Sequence, residues 1–83
     1  MKYRIKLEKQ AVKFISKQPE SERKRIFAAI YQLPHHGDIK AMRGRDENYY
    51  RLRVGDYRII YTVHHDIFLI NVVKAGNRGD IYK

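Results

Sequence analysis

Arg51, Arg53 and Arg58 are spaced to act together on a phosphate. They fall in the run Tyr49-Tyr50-Arg51-Leu52-Arg53-Val54-Gly55-Asp56-Tyr57-Arg58, two alternating segments joined by a Gly-Asp pair. That is the pattern of a tight β-hairpin with a type II′ turn. With Gly55 and Asp56 as the loop residues, Val54 pairs with Tyr57 and Arg53 lies opposite Arg58. The two-residue period of a strand then sets Arg51 on the same face. Such a register spaces the Cβ atoms about 5 Å apart across the strands and about 7 Å along one, where like charges destabilise a sheet. A fold gains nothing from that repulsion alone. A bound polyanion turns it into attraction, so the spacing points to a phosphate-binding platform on a rigid sheet rather than a flexible basic tail.

The elements that must carry this platform can be read from periodicity. Tyr3, Ile5 and Leu7 alternate with Lys2, Arg4 and Lys6, an opening strand with one polar face. Ala11, Phe14 and Ile15 recur at helical spacing and predict a helix over about 8–17. Gln18-Pro19 breaks it, because a proline disfavours helical geometry in the residue before it. Ile26, Ala29, Ile30 and Leu33 give a second helix that starts near 19–21 and stops at Pro34. So short a link makes the two helices an antiparallel hairpin, with Lys9, Lys13, Lys17, Arg23, Lys24 and Arg25 facing outward. The polar stretch 34–48, punctuated by Gly37 and Gly44, reads as a loop. Strands at 49–54, 57–64 and 67–75 follow, with a turn at His64-His65-Asp66. The last strand is apolar on both faces, which suits a central position covered by the helix pair on one side and partly covered on the other. The expectation is an α+β domain of order β-α-α-β-β-β, a helix hairpin on a twisted antiparallel sheet of four strands.

Length and charge bound the rest. Eighty-three residues make one domain, 1–83, with a radius of gyration of about 12 Å and no room for a second. A chain this short buries only about 60 to 65% of its unfolded surface, so modest stability and reliance on a partner are expected. Eighteen Lys and Arg against nine Asp and Glu give a net charge of +9, which argues for nucleic acid or another acidic surface as partner. Residues 1–33 hold nine basic and three acidic side chains and residues 34–83 hold nine and six, so charge alone does not locate the site. No apolar stretch, Ile67 to Ile70 included, approaches the length of a membrane span, and Met-Lys-Tyr-Arg-Ile-Lys lacks the apolar core of a secretion signal. With no Cys there is neither a disulfide framework nor a thiolate metal site, and a cytoplasmic location is the expectation.

The order of elements, together with Leu-Arg-Val-Gly-Asp-Tyr-Arg-Ile-Ile-Tyr and the closing Val-Val-Lys-Ala-Gly-Asn-Arg-Gly-Asp-Ile-Tyr, resembles the RelE family of the RelE/ParE toxin superfamily. The resemblance covers nearly the whole chain and is specific over 51–61 and 76–82; the helices match only in pattern. It implies a toxin that enters the ribosomal A site and cuts messenger RNA there without metal or other cofactor, held inactive by a co-encoded antitoxin. By motif, Arg51 and Arg53 match the two basic residues of the family's second strand and Arg58 that of the third. Arg78 matches the basic residue after the fourth strand, and Tyr82 the aromatic residue near the C-terminus.

The chemistry required of such a site can be stated independently. Without metal, the ribose 2′-hydroxyl attacks the adjacent phosphorus. The enzyme must remove that proton, stabilise a pentavalent phosphorane and protonate the leaving 5′-oxygen. Planar guanidiniums suit the second task, holding equatorial oxygens in two-point contacts, and a preorganised cluster is expected to supply several kcal/mol. Arg58 takes the clamping role with Arg51 assisting, and Arg78, on a separate segment, donates to the leaving oxygen. Some relatives have lysines where this chain has Arg51 and Arg53. A crowded lysine can lose its proton, whereas an arginine, with a pKa above about 12, does not. The general base is therefore open: Tyr82, whose phenolate surrounding cations would favour, either takes the proton or stacks on a base to align the 2′-oxygen. Glu47 is a weaker candidate.

Each of these residues also has a plainer reading. A single arginine on a sheet face is usually solvated, an isolated Tyr82 would pack on the sheet edge, and the helix lysines form a soluble face with ribosomal RNA contact as a second use. Tyr49, Tyr50, Tyr57 and Tyr61 read as core or half-buried strand residues. His35-His36 and His64-His65 lack a Cys or carboxylate at ligand spacing, and no metal is assigned to them. Gly44, Gly55, Gly76 and Gly79 read as turn glycines without phosphate-loop spacing. The rival function is a non-catalytic basic module, either a gyrase-poisoning relative on the ParE branch or a plain nucleic-acid binder, and a third reading is an interaction subunit.

Overall fold

The computed structural model describes residues 2–42 and 49–77; Arg78, Tyr82, Glu47, Gly44 and Gly79 lie outside the described residues. Strand β1 (Arg4–Leu7) leads into helices α1 (Lys9–Ser16) and α2 (Glu20–Ile30). Strands β2 (Asp38–Ala41), β3 (Tyr49–Val54), β4 (Tyr57–His64) and β5 (Leu69–Asn77) complete the sheet, with a single 3-10 turn at His65–Ile67 before β5. The spatial order is β1-β5-β4-β3-β2. β1 runs parallel to β5 and every other pair is antiparallel. The radius of gyration is 11.9 Å, as the chain length requires.

The α+β class and the order of elements follow the sequence. Ala11 and Ile15 of α1 and Ile26 and Ile30 of α2 are fully buried, each pair one helical turn apart, against Leu52, Ile59, Tyr61, Ile70 and Val72 of the sheet. Each such aliphatic side chain removed from water contributes about 1.5 to 3 kcal/mol. Phe14 meets Tyr57 edge-on at 5.9 Å, and the Tyr57 hydroxyl donates to Gln18 Oε1 at 3.2 Å, tying the helix link to β4. After Ile30 the chain tightens, with Gln32 N–H donating to Ala29 O and Leu33 N–H to Ile30 O, so Leu33 remains in the core although the helix has ended.

The sheet differs from the expected one in three ways. First, it is mixed rather than antiparallel, because β1 runs parallel to β5, and it has five strands rather than four, because Asp38–Ala41, expected as loop, forms β2. This segment holds only one half-buried apolar residue, Ile39, and its place is fixed by its ladder with β3, in which Ile39 pairs with Leu52. Periodicity has no signal for so short a polar edge strand. Second, β5 starts at Leu69 rather than Ile67. Phe68 takes a left-handed conformation with φ 52°, and Ile67 and Phe68 stay 50% and 40% exposed. Third, the β4–β5 register shifts between Ile60 and Tyr61: Ile60 pairs with Lys74 and Tyr61 with Val72, leaving Val73 as the extra residue of a bulge. Strict alternation from the buried Ile70 and Val72 would turn Lys74 inward. The bulge buries Ala75 instead and turns Lys74 and Gly76 to the face away from the helices.

Candidate active site

The hairpin that carries the arginines has the register expected of it. Arg53 pairs with Arg58 and Val54 with Tyr57, while Arg51 stands opposite Ile60. Gly55 has φ 58° and Asp56 stays out of the left-handed region, the combination a type II′ turn demands. Leu52, Val54 and Ile59 point to the helices, so Arg51, Arg53 and Arg58 share the opposite face. A helix arginine also reaches this turn: a Cβ added to Gly55 would lie 2.9 Å from Arg25 Nη1. Arg25, expected on the outward helix face, thus packs its guanidinium over the hairpin turn.

The ladders gather basic residues from every strand onto that face, away from the helices. Arg4 and Lys6 of β1, Lys74 of β5, Arg58 of β4, Arg51 and Arg53 of β3 and Lys40 of β2 all alternate to it. Among the described strand residues, Asp38 of β2 is the one acidic side chain there. A broad positive field over one sheet face steers and concentrates a polyanion. Charge totals along the chain hid this, because the strands contribute it one pleat at a time.

Arg51 is the unusual member. It is only 8% exposed, and its Nε is buried with no hydrogen-bond partner. Its Nη2 makes a long 3.5 Å contact to Asp38 Oδ1, while the more exposed Arg53 donates from Nε to Asp38 Oδ2 at 3.1 Å. A buried guanidinium with an unused N–H is unfavourable by about 1 to 3 kcal/mol, and an incoming acceptor would remove that penalty. The sequence offers no signal for Asp38 at this site, because the polar stretch that carries it has the pattern of a loop. Beside Arg58, Gly76 lies within β5 rather than in a turn and places no side chain opposite it. On the same face Ile60 and Thr62 are buried, so this side of the sheet is partly covered, as expected.

Past the end of β1, the edge of β5 is completed by a side chain. Gln10 Nε2 donates to Ala75 O at 2.9 Å and its Oε1 accepts from Ala75 N–H at 2.8 Å, as a further residue of β1 would. Tyr50, Tyr57 and Tyr61 pack against or within the core. Tyr61 stacks on Tyr50 at 5.7 Å, and burial, with Tyr50 adding to it, pushes its phenol up to about 12. Tyr57 is also raised, by burial and then by the Glu22 carboxylate. Around Tyr3, His65 Nδ1 lies 2.6 Å from the hydroxyl and the His35 ring meets it edge-on at 6.1 Å.

Comparison with known proteins identifies the family. Residues 5–82 match the family model for the ParE toxin of the type II toxin–antitoxin system parDE. A Methanocaldococcus jannaschii protein assigned by inference as toxin RelE1 is 32% identical over 89 residues, spanning 100% of this chain and 98% of that one. The chain belongs to the RelE family of RelE/ParE toxins. It is a toxin of a RelBE-type toxin–antitoxin system. Among solved RelE structures, that of the Pyrococcus horikoshii RelE–RelB complex superposes with a TM-score of 0.77 at 32% identity, over 96% of this chain and 99% of that chain. The Methanococcus jannaschii RelB–RelE complex gives 0.74 at 35% identity, over 93% and 94%.

Proposed function

We propose that this RelE-family toxin is a ribosome-dependent endoribonuclease that cuts messenger RNA in the ribosomal A site by metal-independent 2′-hydroxyl attack, and so inhibits translation in the cytoplasm. One observation carries the reading: among the described strand residues, Arg51, Arg53 and Arg58 share a face with four further basic side chains and a single carboxylate. Arg58 clamps the phosphorane with Arg51 beside it, and Arg53 extends the grip along the RNA backbone. Arg78 donates to the leaving 5′-oxygen. Tyr82 supplies either the base or the stack that aligns the 2′-oxygen, and single-turnover cleavage by Tyr82→Phe separates the two: an undiminished rate removes its hydroxyl from the mechanism.

A cognate antitoxin is the expected protein partner, since relatives crystallise as RelE–RelB complexes. An acidic or amphipathic segment laid over the sheet would mask the arginines. Deleting the neighbouring small open reading frame should make this one lethal, and harmless expression without it would count against a toxin that needs neutralising.

The ParE description of the family model favours a second reading, gyrase poisoning. Brief expression followed by mapping of messenger RNA ends and of gyrase-dependent DNA breaks decides between them. Cuts inside translated codons support RNA cleavage; DNA breaks without them support the second reading.

A further inference from the structure

Asp38 bridges the two arginines of β3. Its two oxygens reach two different guanidiniums, Oδ1 to Arg51 Nη2 at 3.5 Å and Oδ2 to Arg53 Nε at 3.1 Å. Two non-bridging oxygens of a phosphodiester would bridge the same pair in the same way. The placement is set by the backbone, because the ladder puts Asp38 opposite Arg53 and Lys40 opposite Arg51. The hold is weak. Asp38 is 55% exposed and the Arg53 side chain 43%, so the pair contributes little against solvent, and Arg51 keeps a buried N–H unused even with Asp38 in place. A tight internal pair would block the site; this one aligns the arginines and can be exchanged for a stronger acceptor.

The geometry points to Asp38 as an internal competitor for the RNA phosphate. It keeps the β3 arginines aligned when the site is empty and weakens binding of free RNA, so that engagement depends on additional contacts made by a larger assembly. The inference rests on the reading of the arginine-bearing face as the RNA site and names a specificity device within it.

The test is fluorescence anisotropy with a labelled single-stranded RNA oligonucleotide, 2′-O-methylated to prevent cleavage, titrated with the full chain from low to moderate KCl. Asp38→Asn and Asp38→Ser should each tighten binding at least about fivefold. Each should also steepen the salt dependence by about 0.7 in log–log slope, the signature of one more phosphate contact on a single strand. Asp38→Glu should keep the weaker binding. Asp66→Asn removes the same unit of charge from the turn at the far end of the sheet and should change affinity less than about twofold. If Asp38→Asn and Asp38→Ser bind no tighter than Asp66→Asn while Arg51→Gln binds more weakly, the competitor role is overturned and the RNA face stands. If Arg51→Gln binds as well as the unmodified chain, the RNA face itself is lost.

Discussion

Arg53 stands directly opposite Arg58 in the β3–β4 ladder, two like charges in a position where a sheet ordinarily places an apolar or oppositely charged pair. Arg53 also has an exposed ion pair with Asp38, whose small stabilising effect offsets the repulsion. Arg53→Thr should therefore leave the folding free energy within about 0.5 kcal/mol of the unmodified chain while messenger RNA cleavage falls by at least about tenfold. Urea denaturation read beside cleavage on programmed ribosomes checks both halves. A large loss of stability would mean that the arginine is structural.

Gln10 performs the role of a strand residue for Ala75 through its side chain. Gln10→Ala leaves the Ala75 amide and carbonyl to find water and should lower stability by about 1 kcal/mol, with faster hydrogen exchange at the Ala75 amide. Gln10→Glu should restore only the accepting half of the pair. Exchange at Ala75 that is unchanged in Gln10→Ala would contradict this.

Tyr61 sets an alkaline limit. Its phenol is pushed from 10.0 up to about 12 in the folded chain by burial, so between those values the unfolded chain gives up the proton and the native one keeps it. The unfolded state then binds fewer protons, and stability falls as pH rises through the window, with the full contribution present below about pH 10. Tyr61→Phe has no proton to lose at this position. Its decline in stability between about pH 9 and about pH 11 should be smaller than that of the unmodified chain by about 1 kcal/mol, measured by urea unfolding at each pH. Parallel declines would show that the Tyr61 phenol titrates as it does in water.

Gly55 is held at φ 58° with the tip of Arg25 close above it. Gly55→Ala places an L side chain in the left-handed region and should destabilise by about 1 to 2 kcal/mol, more than the displaced, flexible guanidinium alone could cause. Gly55→Asn, better tolerated at positive φ, should recover part of the loss; an alanine variant as stable as the unmodified chain would refute the turn assignment.

The hairpin was legible because two signals agreed there: a Gly-Asp pair between alternating runs fixes both the turn and which residues face each other. The helices were legible from Ala11 and Ile15 and from Ile26 and Ile30, since only an apolar stripe at helical period can be buried on a sheet. What escaped was held by backbone pairing rather than by side-chain pattern. β2 is polar and four residues long, so Asp38 looked like a loop carboxylate although it meets two arginines of β3. The bulge at Val73 reverses the alternation of β5, and with it the facing of Lys74, without any glycine or proline to announce it. The Gln10 pairing spans 65 residues and has no local signature.

The central proposal is that the arginine-bearing face of the β3–β4 hairpin grips the scissile phosphate as it becomes pentavalent. Single-turnover cleavage of messenger RNA on programmed ribosomes, at saturating toxin, by the unmodified chain and by Arg58→Gln tests it most directly. The account predicts a rate lower by at least about a hundredfold in a variant that still melts cooperatively, the scale of losing one preorganised transition-state donor. A rate within about threefold of the unmodified chain would contradict it.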